Sequence, residues 1–224
     1  MKVTSLSLEA FKEMDYWAVE KYNLSIELMM ENAGLQLARL IAKKANKSSV
    51  ITIGVGNGNN GGGGLVAARR LAAWGYIVNL DLVVPISKDL PKAQLERALL
   101  FGAKKGIPET TDIWVDAYLG FSQRLPLSDA FAKSIALANA SSAYRISLDI
   151  PVGISREGKL SGFKANQVMT LAAPKTILEQ LPKEVEVYVA DLGIPKSVYE
   201  HFNIKMPNFM QNQLIALNQF ILVN

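Results

Sequence analysis

Residues 54–71 read GVGNGNNGGGGLVAARRL, and seven of the first eleven are glycine. Just before them, VITIGVG at 50–56 is a short β-branched apolar run that ends in glycine. Such a run reads as a strand buried on both faces, as in a parallel sheet. From Gly64 to Trp74 the apolar spacing is that of a helix. A buried strand, a bare-backbone turn and a helix in direct succession leave few architectures open. A chain with this unit builds its sheet through right-handed βα crossovers.

The rest of the chain keeps that rhythm. Helices are expected over 7–21, capped by Ser7, and over 25–45, capped by Ser25 with Glu27 in the first turn. Leu28, Met29, Leu35, Leu37, Leu40 and Ile41 give the second its apolar face. Further strands are expected at 76–84, 112–120, 144–151, 167–173 and 185–193, with helices over 91–101 and 127–139. Strands separated by helices of about 10–15 residues predict a doubly wound, mostly parallel sheet covered on both faces. No repeat or linker interrupts the pattern, and 224 residues suit a single domain over 1–205 with a tail over 206–224. In the tail, Leu214, Leu217, Ile221 and Leu222 predict a terminal helix, packed on its own domain or against a second copy.

Composition narrows the chemistry. There is no cysteine, and His201 is the single histidine. Thiolate catalysis, cysteine-ligated metals and a histidine cage for a transition metal are excluded. No G-x-S-x-G elbow accompanies the histidine. Acid–base work must fall to Asp, Glu, Lys or Tyr. The net charge is +4, but the basic residues cluster only in pairs such as Lys43–Lys44 and Lys104–Lys105. That reads as solvated surface rather than a nucleic-acid groove. The start, MKVTSLSLEAFKEMD, lacks the apolar core of a signal peptide, and no run of about 18 apolar residues predicts a membrane span. The expectation is a cytoplasmic protein with no membrane partner.

Open α/β sheets bind ligands beyond the carboxyl ends of their strands. Gly56-x-Gly58-x-x-Gly61 fits the dinucleotide fingerprint there, without the Lys-Ser/Thr of a P-loop. Its acidic partner would be Asp81, which lies inside NLDLVV with strand still to run and is badly placed for a ribose. A phosphate or nucleotide cradle and a purely structural turn are both open readings. Asn59 and Asn60 add side-chain oxygens suited to a polar group or a hard cation. Asp116 ends IWVDAYLG, Asp149 precedes Pro151 in SLDIPVG, and Lys175 follows QVMTLAAP. Each alone reads equally as a structural residue. Two acids at neighbouring strand ends, both facing the glycines, point to acid–base work, since burial there raises a carboxyl pKa.

Together these motifs resemble a known family. GNGNNGGGGLVAAR is similar to the GxGNNGGDGxVAAR signature of the YjeF N-terminal domain, the NAD(P)H-hydrate epimerase family. LMMENAG (28–34), VDAYLG (115–120), SLDIPVGI (147–154), TLAAPK (170–175) and VADLGIP (189–195) resemble further family motifs in family order. The resemblance implies a three-layer α/β/α Rossmann-like fold, a homodimer, and a substrate that is hydrated NADH or NADPH or a related nucleotide-like molecule. It implies interconversion of the R and S epimers, so that a separate dehydratase can use the S form.

Carried over by residue, Asn59, Asn60, Gly61, Gly62 and Gly63 would hold the substrate's phosphate region. The loop Gly120, Phe121, Ser122, Gln123, Arg124, Leu125 and Pro126 would line the substrate. Asp149 would be the acid–base group at the hydrated nicotinamide, with Lys175 orienting or polarising. Asn60 and Asp116 would ligate a potassium ion. Three departures stand against the pattern. Gly63 replaces an aspartate, and Phe121 and its neighbours replace a Gly-Thr-Gly. Val152 replaces a potassium-binding serine and could contribute at most its backbone carbonyl. They leave a second expectation open: a family member that binds a nucleotide or serves as a scaffold without turnover.

Overall fold

The computed structural model describes residues 5–155, 161–210 and 214–217. Two helices open the chain, α1 (Leu8–Tyr22) and α2 (Ile26–Ala42). Ser7 Oγ accepts from the Ala10 N–H and Ser25 Oγ from the Leu28 N–H, so both expected caps form. The alternating part follows as β1 (Val50–Val55), α3 (Asn59–Ala73), β2 (Ile77–Leu82), α4 (Asp89–Leu100), β3 (Lys104–Lys105), β4 (Ile113–Ala117), α5 (Asp129–Ala140) and β5 (Tyr144–Leu148). The chain continues through β6 (Gln167–Leu171), a 3₁₀ turn (Thr176–Gln180), β7 (Glu186–Ala190), α6 (Lys196–His201) and β8 (Leu214–Ala216).

The strands form one sheet in the order β3-β2-β1-β4-β5-β6-β7-β8, parallel except for the antiparallel β7–β8 pair. Residue parity divides two cores. Ile113, Val115 and Ala117 of β4 pack with Leu37, Leu65 and Ala98 of α2, α3 and α4. Trp114 of the same strand joins Phe11, Ile135 and Val198 of α1, α5 and α6 on the other face. The result is the expected doubly wound, three-layer α/β/α architecture.

Two expectations are corrected. The glycines lie within α3, which begins at Asn59 rather than Gly64. Their lack of side chains serves packing. A Cβ on Gly61 would overlap the Gly56 carbonyl oxygen, one on Gly64 would sit 2.5 Å from Ala117 Cβ, and one on Gly62 2.6 Å from Met30 Sδ. Helix propensity is overridden because only glycine lets α3 lie this close to the sheet and to α2. The expected tail helix is also replaced. Residues 206–210 are irregular and Leu214–Ala216 pair with β7, whose free edge offers unpaired backbone groups. Residues 211–213 and 218–224 of the expected tail, including Ile221 and Leu222, lie outside the described residues. At the other edge, the unexpected β3 is two exposed lysines long, which blunts an otherwise open strand.

Candidate active site

The chain leaves β1 for β2 on one side and returns to β4 on the other, so the sheet's switch point lies between β1 and β4. Ligand crevices form at such points. Here Gly54 is in register with both Asp81 and Asp116. Tyr118 crosses this row: its ring occupies the space a Gly54 side chain would need, and its hydroxyl donates to Asp81 Oδ2 at 2.6 Å. Asp81 is therefore spoken for by a buried tyrosine, as its position within the strand suggested. Burial, with the Asp81 charge second, pushes the Tyr118 pKa upward.

Above this row opens a cleft of about 460 Å³. Its floor carries Asp149, just past β5. Asp149 has φ 69°, a left-handed conformation that Asp and Asn tolerate better than most residues. The turn aims the carboxylate back at the end of β6. Asp149 Oδ1 pairs with Lys175 Nζ at 2.9 Å, both side chains being almost wholly buried. The ammonium also donates to Thr170 Oγ1 and the Leu171 carbonyl, each at 2.9 Å, and lies 3.6 Å from the centre of the Phe11 ring. Burial lowers the Lys175 pKa and Asp149 opposes that shift. Lys175 is held in place by a parallel bridge to Leu6, with Leu6 N–H donating to Pro174 O and Thr176 N–H to Leu6 O, both at 2.9 Å. The other Asp149 oxygen, Oδ2, faces Gly120, where a Cβ would approach to 3.4 Å.

One wall of the cleft is the start of α3. Gly58 caps it without a side chain and no acid sits in its first turn, so its N-terminal N–H groups and dipole are open to an anion. Asn59, Asn60 and Gly63 line the cleft; Gly61 and Gly62 do not. Asn60 Nδ2 donates to the Leu148 carbonyl at 3.3 Å. Asn57 ties this turn to the start of α4, accepting from the N–H groups of Ser87 and Lys88, and Lys88 stands at the rim.

The loop after β4 divides. Gly120, Phe121 and Ser122 line the cleft, Phe121 packing edge-on against Phe11 at 5.6 Å. Gln123 turns away and clamps the following strand's loop, accepting from Gly153 N–H at 2.7 Å and donating to Pro151 O. Arg124, Leu125 and Pro126 are exposed and outside the cleft.

Asp116 lies beneath, fully buried. Ser147 Oγ and Val152 N–H donate to its Oδ2 at 2.7 and 2.8 Å, and Tyr118 N–H to Oδ1 at 3.3 Å. Burial pushes its pKa up to about 7 against those three hydrogen bonds. The Val152 carbonyl accepts from Phe163 N–H at 2.8 Å, and its side chain is in the core.

Sequence reasoning missed Asp15. It lies on α1 one turn beyond Phe11, half-buried, and lines the cleft facing Asp149 and Lys175. Burial raises its pKa to about 6, with the Asp149 charge adding and Lys175 opposing. The signal was a carboxylate sharing a helix face with Phe11, at the i, i+4 spacing, amid the buried Met14 and Ala18. The motif around Glu31 also acquires a role. Glu31 holds Arg69 and Arg70 of α3 at 2.6 and 2.8 Å, Asn32 donates to Leu192 O, and Gly34 admits Val66.

Comparison with known proteins fits this arrangement. Residues 26–177 match the model of the YjeF-related protein N-terminus. The chain belongs to that family. It is 31% identical to an NAD(P)H-hydrate epimerase of Rhodopirellula baltica, covering 91% of this chain and 90% of that one. It is 35% identical to the enzyme of the same name from Dehalogenimonas lykanthroporepellens, covering 91% and 87%. A bifunctional NAD(P)H-hydrate repair enzyme of Thermofilum pendens is 32% identical over 92% of this chain, which spans 43% of that protein. The crystal structure of yeast ynu0 superposes with a TM-score of 0.85 at 21% identity, over 96% of this chain and all of that one, and shares the fold.

Proposed function

We propose that this family member is an NAD(P)H-hydrate epimerase and that the cleft over Asp149 is where it acts. The observation that carries this reading is the buried Asp149–Lys175 pair, with one Asp149 oxygen turned to the cleft beside the open N-terminus of α3. Water adds to a dihydronicotinamide so that the hydroxyl sits on a carbon next to the ring nitrogen, where nitrogen stabilises positive charge. One route to inverting that carbon breaks its C–O bond and re-forms it on the other face. A proton must be delivered to the departing hydroxyl and another withdrawn from the water that adds, and a fixed carboxylate such as Asp149 suits one of these transfers. Lys175 and Thr170 hold Asp149 in its orientation. The diphosphate would lie against the α3 N-terminus, near Asn59, Asn60 and Lys88. Gly120, Phe121 and Ser122 would border the nicotinamide.

A potassium ion belongs to this reading, and the residues fit it in part. The donors around Asp116 are all neutral, and its Oδ1 accepts a single long hydrogen bond. Asn60 turns its amide nitrogen to Leu148, leaving Oδ1 for a cation. Val152 offers no side-chain oxygen, and its carbonyl, which already accepts from Phe163 N–H, could contribute only its second lone pair. Bound potassium would supply positive charge beneath the cleft. Among the described residues no group of three or more His, Asp or Glu is placed to hold a metal, and no helix is long and apolar enough to cross a membrane. A homodimer, a cytoplasmic location and a separate dehydratase that consumes the product complete the proposal. The scaffold alternative is not favoured, since the curated relatives are named as epimerases.

The test is R/S equilibration of hydrated NADH followed by NMR, with and without potassium. Acceleration over the spontaneous rate is expected, and Asp149→Asn, which tolerates the left-handed backbone, should lower it about 1000-fold. Folded protein that leaves the spontaneous rate unchanged would end this reading.

A further inference from the structure

Inverting one carbon through C–O cleavage asks for proton handling on both of its faces, yet the floor of the cleft offers a single free carboxylate oxygen, Asp149 Oδ2. We propose that Asp15, on the α1 wall of the same cleft, is a second catalytic residue and the proton-transfer partner of Asp149; this rests on the epimerase reading. Three observations carry it. Asp15 lines the cleft with Phe121, Gly120 and Asn60. It interacts electrostatically with both members of the buried pair. Among the described residues it also has no hydrogen bond or ion pair, so a structural role as a cap or bridge is not taken. The charged and titratable groups facing it are Asp149, just past β5, and Lys175, beyond β6, with Lys12 and Tyr16 beside it on α1 and Lys88 also lining the cleft.

The step balances within the cleft. Asp15 gives its proton to the departing hydroxyl as the C–O bond breaks, and the ring nitrogen's lone pair forms the C=N bond. Water then adds to the opposite face of that carbon. Its excess proton goes to Asp149, and the C=N electrons return to nitrogen. Starting from the other epimer, the roles reverse and Asp149 is the donor. The two carboxyls therefore share one proton. Burial and the Asp149 charge both favour the neutral form of Asp15 and raise its pKa to about 6, so the donor is mostly protonated below that pH and a fraction of it remains so at neutrality. As pH rises through about 6 that proton leaves, so the rate should fall.

The experiment is the pH dependence of kcat/KM between pH 5 and 9 for the wild type, Asp15→Asn, Asp15→Glu and Asp149→Asn. Asp15→Asn is expected to lose about 100-fold and the falling limb near pH 6, with Asp15→Glu recovering much of the rate. Thermal unfolding of each variant identifies any loss of fold, and ¹³C NMR of the Asp15 carboxyl reads its titration directly in the wild type. If the wild type accelerates epimerisation while folded Asp15→Asn keeps its rate and pH profile, Asp15 is not catalytic. If the wild type is inactive, the epimerase reading fails instead.

Discussion

Two glycine-bearing segments meet over Asp149, and they are built on opposite terms. The start of α3 is buried glycine pressed against backbone, Ala117 and Met30. The loop from Gly120 to Pro126 touches the cleft with its first three residues and gives the rest to solvent or to the neighbouring turn. The α3 wall is fixed by sterics that take no account of the ligand. The loop wall has room to differ, and it is where this chain parts most from the family's pattern. A glycine run can therefore mark rigidity, because the missing side chains let a helix lock onto a sheet.

That contrast can be broken by substitution. Gly61→Ala should have the largest effect, because its Cβ meets a backbone oxygen that cannot swing aside. A loss of more than about 3 kcal/mol is expected in chemical denaturation. A wild-type midpoint would mean that α3 floats on the sheet. Gly62→Ala meets only the flexible end of Met30, so a loss of about 1 kcal/mol is expected, part of the overpacking being offset by better helix propensity. Gln123→Ala removes the clamp on Gly153 and should cost about 1 kcal/mol, read in the same denaturation series. Gly63→Ala has Leu148 Cδ2 at 3.2 Å as its nearest neighbour, so the helix-propensity gain is offset by a tight contact and the net change should stay under about 0.5 kcal/mol. Arg124→Ala should change stability by less than about 0.5 kcal/mol and leave the epimerisation rate unaltered. A large fall in rate for Arg124→Ala would mean that the loop closes over the substrate, and the two walls would no longer differ.

The sequence made some of this legible and hid the rest for physical reasons. Period and punctuation revealed the strand–helix alternation, because burial of parallel strands leaves apolar runs that need no partner to be recognised. Asp116, Asp149 and Lys175 are visible as candidates because polar residues at the ends of apolar strands stand out. Asp15 was hidden, since its environment comes from β5 and β6, more than a hundred residues away. Tyr118 looked like ordinary strand, and only the empty space over Gly54 gives its ring a place. The helical glycines were misread because propensity describes a solvated helix, whereas the neighbours of α3 decide what its side chains can be. Leu214–Ala216 formed a strand because the edge of β7 was available, which local periodicity does not reveal.

The bridge between Leu6 and Lys175 sets an order of events during synthesis. Leu6 precedes the family-matched stretch and Lys175 lies near its end, so the contact closes only after β6 has been made. A nascent chain that has just delivered β5 carries Asp149 without its lysine. The buried Asp149–Lys175 pair is thus completed late, when the segment after β6 meets Leu6 near the start of the chain.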